Sequence, residues 1–425
     1  MDRPQHVVVI GAGITGALTA HRLLEAGVAV TILEAKEKGA GSSSRSAACY
    51  RQQFSTPSTV AAMLYSTRAY TEFKERFRCD PSTGDVLVQN GYLFLHDRPD
   101  FASDGDTAAR RAEGWEAARR NVVMQREVGL EEVELLAPEE VEERFPHVAG
   151  DRLVGATFCP TDGFLHPDII YMEGFRRVVE LGGVLRQNER VESGVFDPAG
   201  RLVAVRTSKG EEVRGDVFIN ATNAWGAKLS PVLGGTELPV APIKRYLYFL
   251  QRGDGLSPET LQSWPMTITP SRAYCRPENG EQLLLGWAHA TGGEDVSWDG
   301  QDAIEPEYFH KSGLDNYGYA VWMELAESLP ALEEFAGLDA TTSGYYAVTP
   351  DHNPFLGFDP AQPALLHALG FSGHGAMMGP FTAAAVASMA LARETLTEIT
   401  LDGRRIDLRP LLVGRTPTKG EGMVI

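Results

Sequence analysis

Three glycines, Gly11, Gly13 and Gly16, stand in the stretch HVVVIGAGITGALTAHRLLEAGVAVTILE, between an apolar strand pattern and a small-residue helix pattern. At this spacing the first glycine permits a tight turn, the second lets backbone approach a pyrophosphate, and the third lets the helix pack against its strand. The helix, read over Thr15 to Glu25, buries Ala20 and Leu23, turns the positive end of its dipole toward the phosphates and stops at Gly27. Glu34 closes the second strand, where a carboxylate accepts hydrogen bonds from ribose hydroxyls and repels a 2′-phosphate, which disfavours NADP. The chemistry so defined is dinucleotide binding, and the motif does not separate FAD from NAD.

Other chemically capable residues lie further along the chain. Arg51 falls near the end of the polar loop KEKGAGSSSRSAACYRQQFSTP. A guanidinium fork fixes a carboxylate in direction as well as charge, so an arginine such as Arg51 either anchors an anion or is an ordinary structural residue. The small residues of the loop suit backbone lying against a flat ring, or a plain surface linker. His374, between two glycines in FSGHG, either faces a ligand or only bonds the turn. Tyr246 and Tyr248 are two apart on a strand and share one face, where they cap a pocket or fill the core. His289 follows the strand pattern EQLLLGW, and Lys244, Arg245, Arg272 and Arg276 are further cations for an anion. Asp351 and His352 in TPDHNP read as turn residues.

These residues need a scaffold, and 425 residues with 43% apolar content can build one. The net charge of −18, without a block of Lys and Arg, disfavours a nucleic-acid partner. Four cysteines, Cys49, Cys79, Cys159 and Cys275, form no CxxC pair and no metal-ligand spacing, which reads as a reduced, metal-free, cytoplasmic protein. The apolar runs at 6–10 and 383–392 are too short for a signal-peptide core or a bilayer span, so no membrane insertion is expected.

The pattern along the chain alternates helix and strand. Helical periodicity covers 59–77, and Val86 to Leu95 predicts a hairpin of two short strands around Gln89-Asn90-Gly91. The charged stretch 100–145 predicts helices, the last opening at Pro138 and stopping at Pro146. GFRRVVELGGVLRQNERV reads as helix, glycine stop and strand, followed by a ββ pair over Gly194 to Lys209 and the strand DVFINAT with its small-residue end. The stretch 238–287 is β-rich and 311–335 largely helical. GFSGHGAMMGP then opens a small-residue helix through Leu391, a second helix N-terminus able to stabilise an anion.

The Ser-rich loop ending in Arg51-Gln52-Gln53-Phe54, TDGFLHPDIIYMEGF, INATNAWG, GYYAVTPDHNPFLG and GFSGHGAMMGP together resemble the D-amino-acid oxidase-like flavoproteins, the group of sarcosine oxidases, glycine oxidase and dimethylglycine dehydrogenase. The resemblance covers nearly the whole chain. It implies an α/β fold, α+β overall, with a Rossmann-like FAD-binding domain over 1–85, 148–235 and 337–410. The inserted substrate domain, a mainly antiparallel sheet with helices, takes 86–147 and 236–336, and 411–425 is a C-terminal tail. It implies FAD, with Gly11, Gly13, Ile14, Thr15, Gly16, Glu34, Ala35 and Lys36 around the ADP half. Ser42, Ser43, Ser44, Arg45 and Ser46, with Val191, Ala221, Thr222 and Trp225, complete the adenine and pyrophosphate surroundings. Gly344, Tyr345, Gly373, His374, Gly375, Ala376 and Met377 line the ring.

Three departures qualify the likeness. Tyr345 stands where the monomeric sarcosine oxidases attach the flavin through a Cys, which implies noncovalent FAD. Met377 replaces a Lys that helps clamp the carboxylate, and Leu284 replaces a Lys associated with oxygen activation. The expected substrate is a small amine or amino acid, primary or N-substituted, oxidised at its C–N bond by hydride transfer to flavin N5, with hydrolysis of the imine afterwards. Arg51, His374, His289, Tyr246 and Tyr248 are the candidates on the substrate side, and the electron acceptor is O2 or another molecule. A 2-hydroxy-acid dehydrogenase, an NAD-linked enzyme and a flavin-binding assembly protein associated with other subunits are the competing readings.

Overall fold

The computed structural model describes residues 3–287, 317–416 and 420–423. Its centre is a six-stranded sheet in the order Phe355–Phe358, Leu365–Leu369, Val217–Asn220, His6–Ile10, Ala29–Leu33, Val184–Arg186. All neighbours run parallel except the first pair, which is antiparallel. A parallel sheet is covered on both faces, and the run Val7-Val8-Val9 is fully buried accordingly. On one face lie the helices Ile14–Glu25, Pro167–Glu180 and Gly379–Ala392, packed into a single core with Val7 and Val9. The alanines of Gly379–Ala392 keep that helix thin enough to reach the first one, and a Cβ on Gly379 would sit 2.9 Å from Ile14 Cγ2. The other face carries the antiparallel strands Val191–Phe196, Leu202–Thr207 and Glu212–Arg214 over Val8, Ile10 and Phe218.

The second layer is an eight-stranded sheet in the order Phe335–Val348, Ala241–Arg252, Gln282–Trp287, Ala273–Pro277, Met266–Ile268, Tyr92–Asp97, Leu153–Cys159, Glu134–Leu136. It is antiparallel apart from the pairing of Met266–Ile268 with Tyr92–Phe94. Tyr246, Tyr248 and Leu250 project into a core shared with the helix Tyr317–Ala326, while Leu247 and Leu284 lie on the opposite face with Tyr92, Met266 and Tyr274. Leu153–Cys159 and Phe335–Val348 belong to this sheet although their neighbours in sequence build the first, so the chain passes between the two layers repeatedly. Among the described residues no helix is long and apolar enough to cross a membrane.

One local expectation is corrected. The strands around Gln89-Asn90-Gly91 do not pair with each other: Leu87–Val88 joins Gly163–Leu165 and Cys49–Tyr50, whereas Tyr92–Asp97 enters the eight-stranded sheet. Gly91, at φ +92°, donates its amide to Asp162 O at 2.9 Å and accepts from Met266 N at 3.0 Å, so it hands the chain from one sheet to the other instead of folding it back. Within 100–145, Gly105–Val128 and Pro138–Arg144 are helices as read, with the strand Glu134–Leu136 between them.

The first helix can approach its strand only because Gly16 lacks a side chain: a Cβ there would stand 2.0 Å from Gly11 O. Gly27 differs, with φ +79° and open space around it. Gly16→Ala should therefore destabilise the protein by about 3 kcal/mol or more through overpacking, against about 1 kcal/mol for the backbone strain of Gly27→Ala. Thermal unfolding of the two variants checks the order.

Candidate functional site

A cavity of about 410 Å³ runs from the glycine turn after the first strand to the turn before the last helix, a size within the roughly 300–1,000 Å³ of small-molecule sites. At one end the first turn of Ile14–Glu25 has neither a side-chain cap nor an acid; Ile14 N donates to Ser43 Oγ at 3.1 Å, and the following amides are left for an anion. Gly11 and Gly13 form the floor. A Cβ on Gly11, at φ +109°, would stand 2.7 Å from Ala221 O, and one on Gly13 2.9 Å from Ser43 Oγ. Glu34 is fixed by two amides, Ala12 N to Oε2 at 2.8 Å and Lys36 N to Oε1 at 2.9 Å, which hold its carboxylate at the cavity wall.

The structure places most of the sequence-predicted cofactor residues on this wall: Ile14, Thr15, Ala35, Ser42, Ser43, Arg45, Ser46, Val191, Thr222, Trp225, Gly344, Tyr345, Gly373, Gly375 and Ala376 all line it. Gly16 and Ser44 do not. Gly16 is spent on helix packing, and Ser44 closes its own loop by donating to Gly39 O at 3.2 Å. Sequence reasoning passed over Arg190, Lys228 and Tyr346, which also line the cavity. It also missed what Asn223 does. Held at φ +48°, Asn223 accepts through Oδ1 from Gly370 N at 3.1 Å, which ties the small-residue strand end to the late glycine turn.

A second, smaller cavity of about 30 Å³ adjoins the far end and shares Ser46, Tyr346 and Gly373 with the first. Arg51, His374, Tyr92, Tyr274, Met266 and Met377 surround it, so Met377 and His374 belong to this cavity and not to the large one. The turn that presents His374 needs left-handed backbone at Gly370, Ser372 and Gly373, and a Cβ on Gly373 would strike the Tyr346 ring at 2.5 Å.

Arg51 is only 1% exposed. Its guanidinium lies 4.1 Å from the Phe54 ring centroid, donates through Nη1 to Gln53 O at 2.7 Å, and uses Nη2 for His374 Nε2 at 3.3 Å and for Met423 O. Its Nε is buried without a partner. Every hydrogen-bond partner of this buried cation among the described residues is thus neutral. Burial, followed by Arg51 and His352, holds His374 well below the usual imidazole range, so the ring is neutral and offers Nε2 as an acceptor.

Asp162 fixes the Arg51 loop from behind. It is fully buried and accepts from Gln52 N at 2.8 Å, Gln52 Nε2 at 3.1 Å and Gln53 Nε2 at 3.1 Å. Burial lifts its pKa to about 6 despite these donors and Arg51. Gln53 Nε2 also reaches Tyr92 O at 3.0 Å, which couples the loop to the strand that carries Tyr92. The Tyr92 hydroxyl is buried with no hydrogen-bond partner among the described residues, and burial pushes the phenol well above 10, so it stays a donor. Neither Asp162 nor Tyr92 was singled out from sequence, although Asp162 stands in the motif TDGFLHPDIIYMEGF and two glutamines follow Arg51.

Other expected substrate-side residues are elsewhere. Tyr246 and Tyr248 do share a face, but it is the outer face of the sheet, among Leu93, Leu283 and Leu285, and neither reaches a cavity. His289 lies outside the described residues. Arg276 is structural, donating to Ala47 O at 2.6 Å and pairing with Glu278 at 2.6 Å. Asp351 shapes its turn and pairs with Arg415 at 2.6 Å.

The profile of the DAO family, FAD dependent oxidoreductase, matches residues 6–389. The chain is 27% identical to FAD-dependent oxidoreductase domain-containing protein 1 of Bos taurus, over 96% of this chain and 84% of that one. It is 25% identical to glycine oxidase of Geobacillus kaustophilus, over 94% and 96%. It superposes on the crystal structure of L-proline dehydrogenase from P. horikoshii with a TM-score of 0.77 and 26% identity, covering 93% of this chain and 95% of that one.

The Asp162 geometry carries a signed pH dependence. Its folded pKa of about 6 lies above the ordinary 3.8, so the native state binds more protons than the unfolded chain between those values. Stability at this site therefore falls as pH rises through that window, by about 2–3 kcal/mol in total. Asp162→Asn removes the slope. From pH 4 to pH 7 its unfolding free energy should gain by that amount relative to the parent in paired denaturation curves; a constant difference refutes the assignment.

Proposed function

The chain belongs to the DAO family of FAD-dependent oxidoreductases, and from that premise we propose that it oxidises the C–N bond of a small amino acid or N-substituted amino acid. The observation that carries the reading is Arg51, a buried guanidinium with only neutral partners, beside the end of the dinucleotide cavity. A buried cation with no carboxylate among its hydrogen-bond partners is matched to one that arrives with a ligand. Relatives named glycine oxidase and L-proline dehydrogenase support a carboxylate-bearing amine of modest size.

The large cavity fits FAD: its glycine floor has no room for a side chain and leaves backbone to meet the ligand, the helix amides suit the pyrophosphate, and Glu34 suits a ribose. Bound there, FAD supplies a two-electron acceptor for hydride. We take it as noncovalent, because no cysteine or histidine is among the described residues lining that cavity and Tyr345 packs edge-on against Trp225 at 6.2 Å. In this reading the six-stranded unit holds the cofactor and the eight-stranded sheet forms the substrate side.

The protein's own part is placement. Arg51 takes the carboxylate, neutral His374 steadies the guanidinium without adding charge, and the Tyr92 hydroxyl donates to the same carboxylate. Orientation of the substrate C–H and exclusion of water then account for the protein's share of the rate. Leu284 is buried where the resemblance puts an oxygen-activating Lys, so we assign electron transfer to an acceptor other than O2.

The test is an anaerobic panel of amino acids, N-methyl amino acids, proline and 2-hydroxy acids, scored by loss of flavin absorbance. Bleaching by amino acids with release of ammonia or methylamine is expected; bleaching by hydroxy acids alone, or by nothing, overturns the reading. Arg51→Ala should raise KM for carboxylate substrates by at least about 30-fold and leave neutral amines unchanged. Tyr92→Phe should raise KM about tenfold with kcat nearly constant, the loss of one hydrogen bond to a charged group.

A further inference from the structure

The carboxylate anchor is already in use by the chain itself. Residues 420–423 run along the loop at Ser55, and Met423 O accepts from Arg51 Nη2. The segment is latched by Glu421, whose Oε1 accepts from Ser55 N at 2.8 Å, from Ser55 Oγ and from Met423 N at 3.0 Å. Gly422 N donates to Ser55 Oγ at 2.8 Å, and Glu421 N reaches Asp351 O at 3.2 Å. Upstream, Arg415 is fixed to Asp351 through two bonds of 2.6 and 2.8 Å, so the segment leaves from a firm base.

This arrangement blocks the fork. Both two-donor edges of a guanidinium include Nη2, and its two protons are taken by His374 Nε2 and Met423 O. A carboxylate gains a bidentate grip only when one of these leaves. His374 is held in a glycine turn by its own backbone, donating to Phe371 O at 2.8 Å, whereas Met423 hangs on a short latch. That latch is poorly compensated: Glu421 is 3% exposed and its Oε2 has no partner among the described residues, so release to water returns hydration to a buried carboxylate. A neutral carbonyl is also a weaker partner for a guanidinium than a carboxylate is.

We propose that residues 420–423 are a self-ligand of the Arg51 site, displaced from it by the substrate's carboxylate, so that access and selectivity are set by the Ser55–Glu421 latch. The inference rests on Arg51 as carboxylate anchor and adds that the anchor is closed at rest.

A staple tests it. A Cβ on Gly422 would stand 3.9 Å from Ser55 Cβ, within the roughly 3.5–4.5 Å of a disulfide. In the FAD-loaded Ser55→Cys/Gly422→Cys protein, acetate binding followed by calorimetry should weaken at least about tenfold on oxidation and recover with a phosphine reductant. Glu421→Ala should tighten acetate about fivefold or more and leave acetamide unchanged, because the open fraction rises. Equal acetate affinity in the stapled and reduced forms, or weaker binding in Glu421→Ala, overturns the proposal. Arg51→Ala separates the two readings. If it binds acetate like the parent, the anchor itself is misassigned; if it loses acetate while the staple has no effect, only the self-ligand falls.

Discussion

Arg51 keeps a full positive charge in a place almost closed to water, and desolvating such a charge costs several kcal/mol unless the surroundings replace what water gave. Much of the second layer can be read as that replacement. The Phe54 face, the Gln53 carbonyl and the His374 lone pair each return part of the lost solvation. None of them neutralises the charge. Asp162 comes nearest to doing so through the field it shares with Arg51, yet its two oxygens accept from Gln52 and Gln53 and none of its hydrogen bonds comes from the guanidinium.

The same loop joins the two cavities. Its Ser42, Ser43 and Arg45 line the large cavity, its Cys49 and Arg51 line the small one, and Ser46 belongs to both. Only backbone with small side chains can pass between a parallel sheet and an antiparallel one at this distance: Gly344 lies so close to Arg45 that a Cβ would stand 2.7 Å from its carbonyl oxygen. The two cavities are therefore one mechanical unit, built where separated stretches of chain converge.

How much of this was legible depended on whether the constraint was local. The turn glycines, the helix behind them and Glu34 fall within one βαβ unit, and spacing alone gave their places. Period two correctly put Tyr246 and Tyr248 on one face, but which face meets the cavity is decided by the register with Gln282–Trp287 and Phe335–Val348, and no pattern within a single strand reports that. The hairpin around Gly91 failed for the same reason, because each short strand found a longer-range partner. Tyr92 and Asp162 were invisible as site residues since the parallel pairing of Tyr92–Phe94 with Met266–Ile268 and the Asp162 contacts with the Arg51 loop span more than a hundred residues.

The neutrality of Arg51's partners is the sharper clue to what the pocket is for. The chain has 57 acidic residues, and two other enclosed arginines use them, Arg276 with Glu278 and Arg415 with Asp351. A resident carboxylate at Arg51 would stabilise the resting protein, but an incoming one would then have to displace a partner of equal charge and gain little by the exchange. With a backbone carbonyl in that place, the difference between a neutral and an ionised acceptor remains available to the ligand. Neutral His374 keeps the same logic, since a second cation there would draw in any small anion, whereas an acceptor orients the guanidinium and leaves discrimination to the shape of the site.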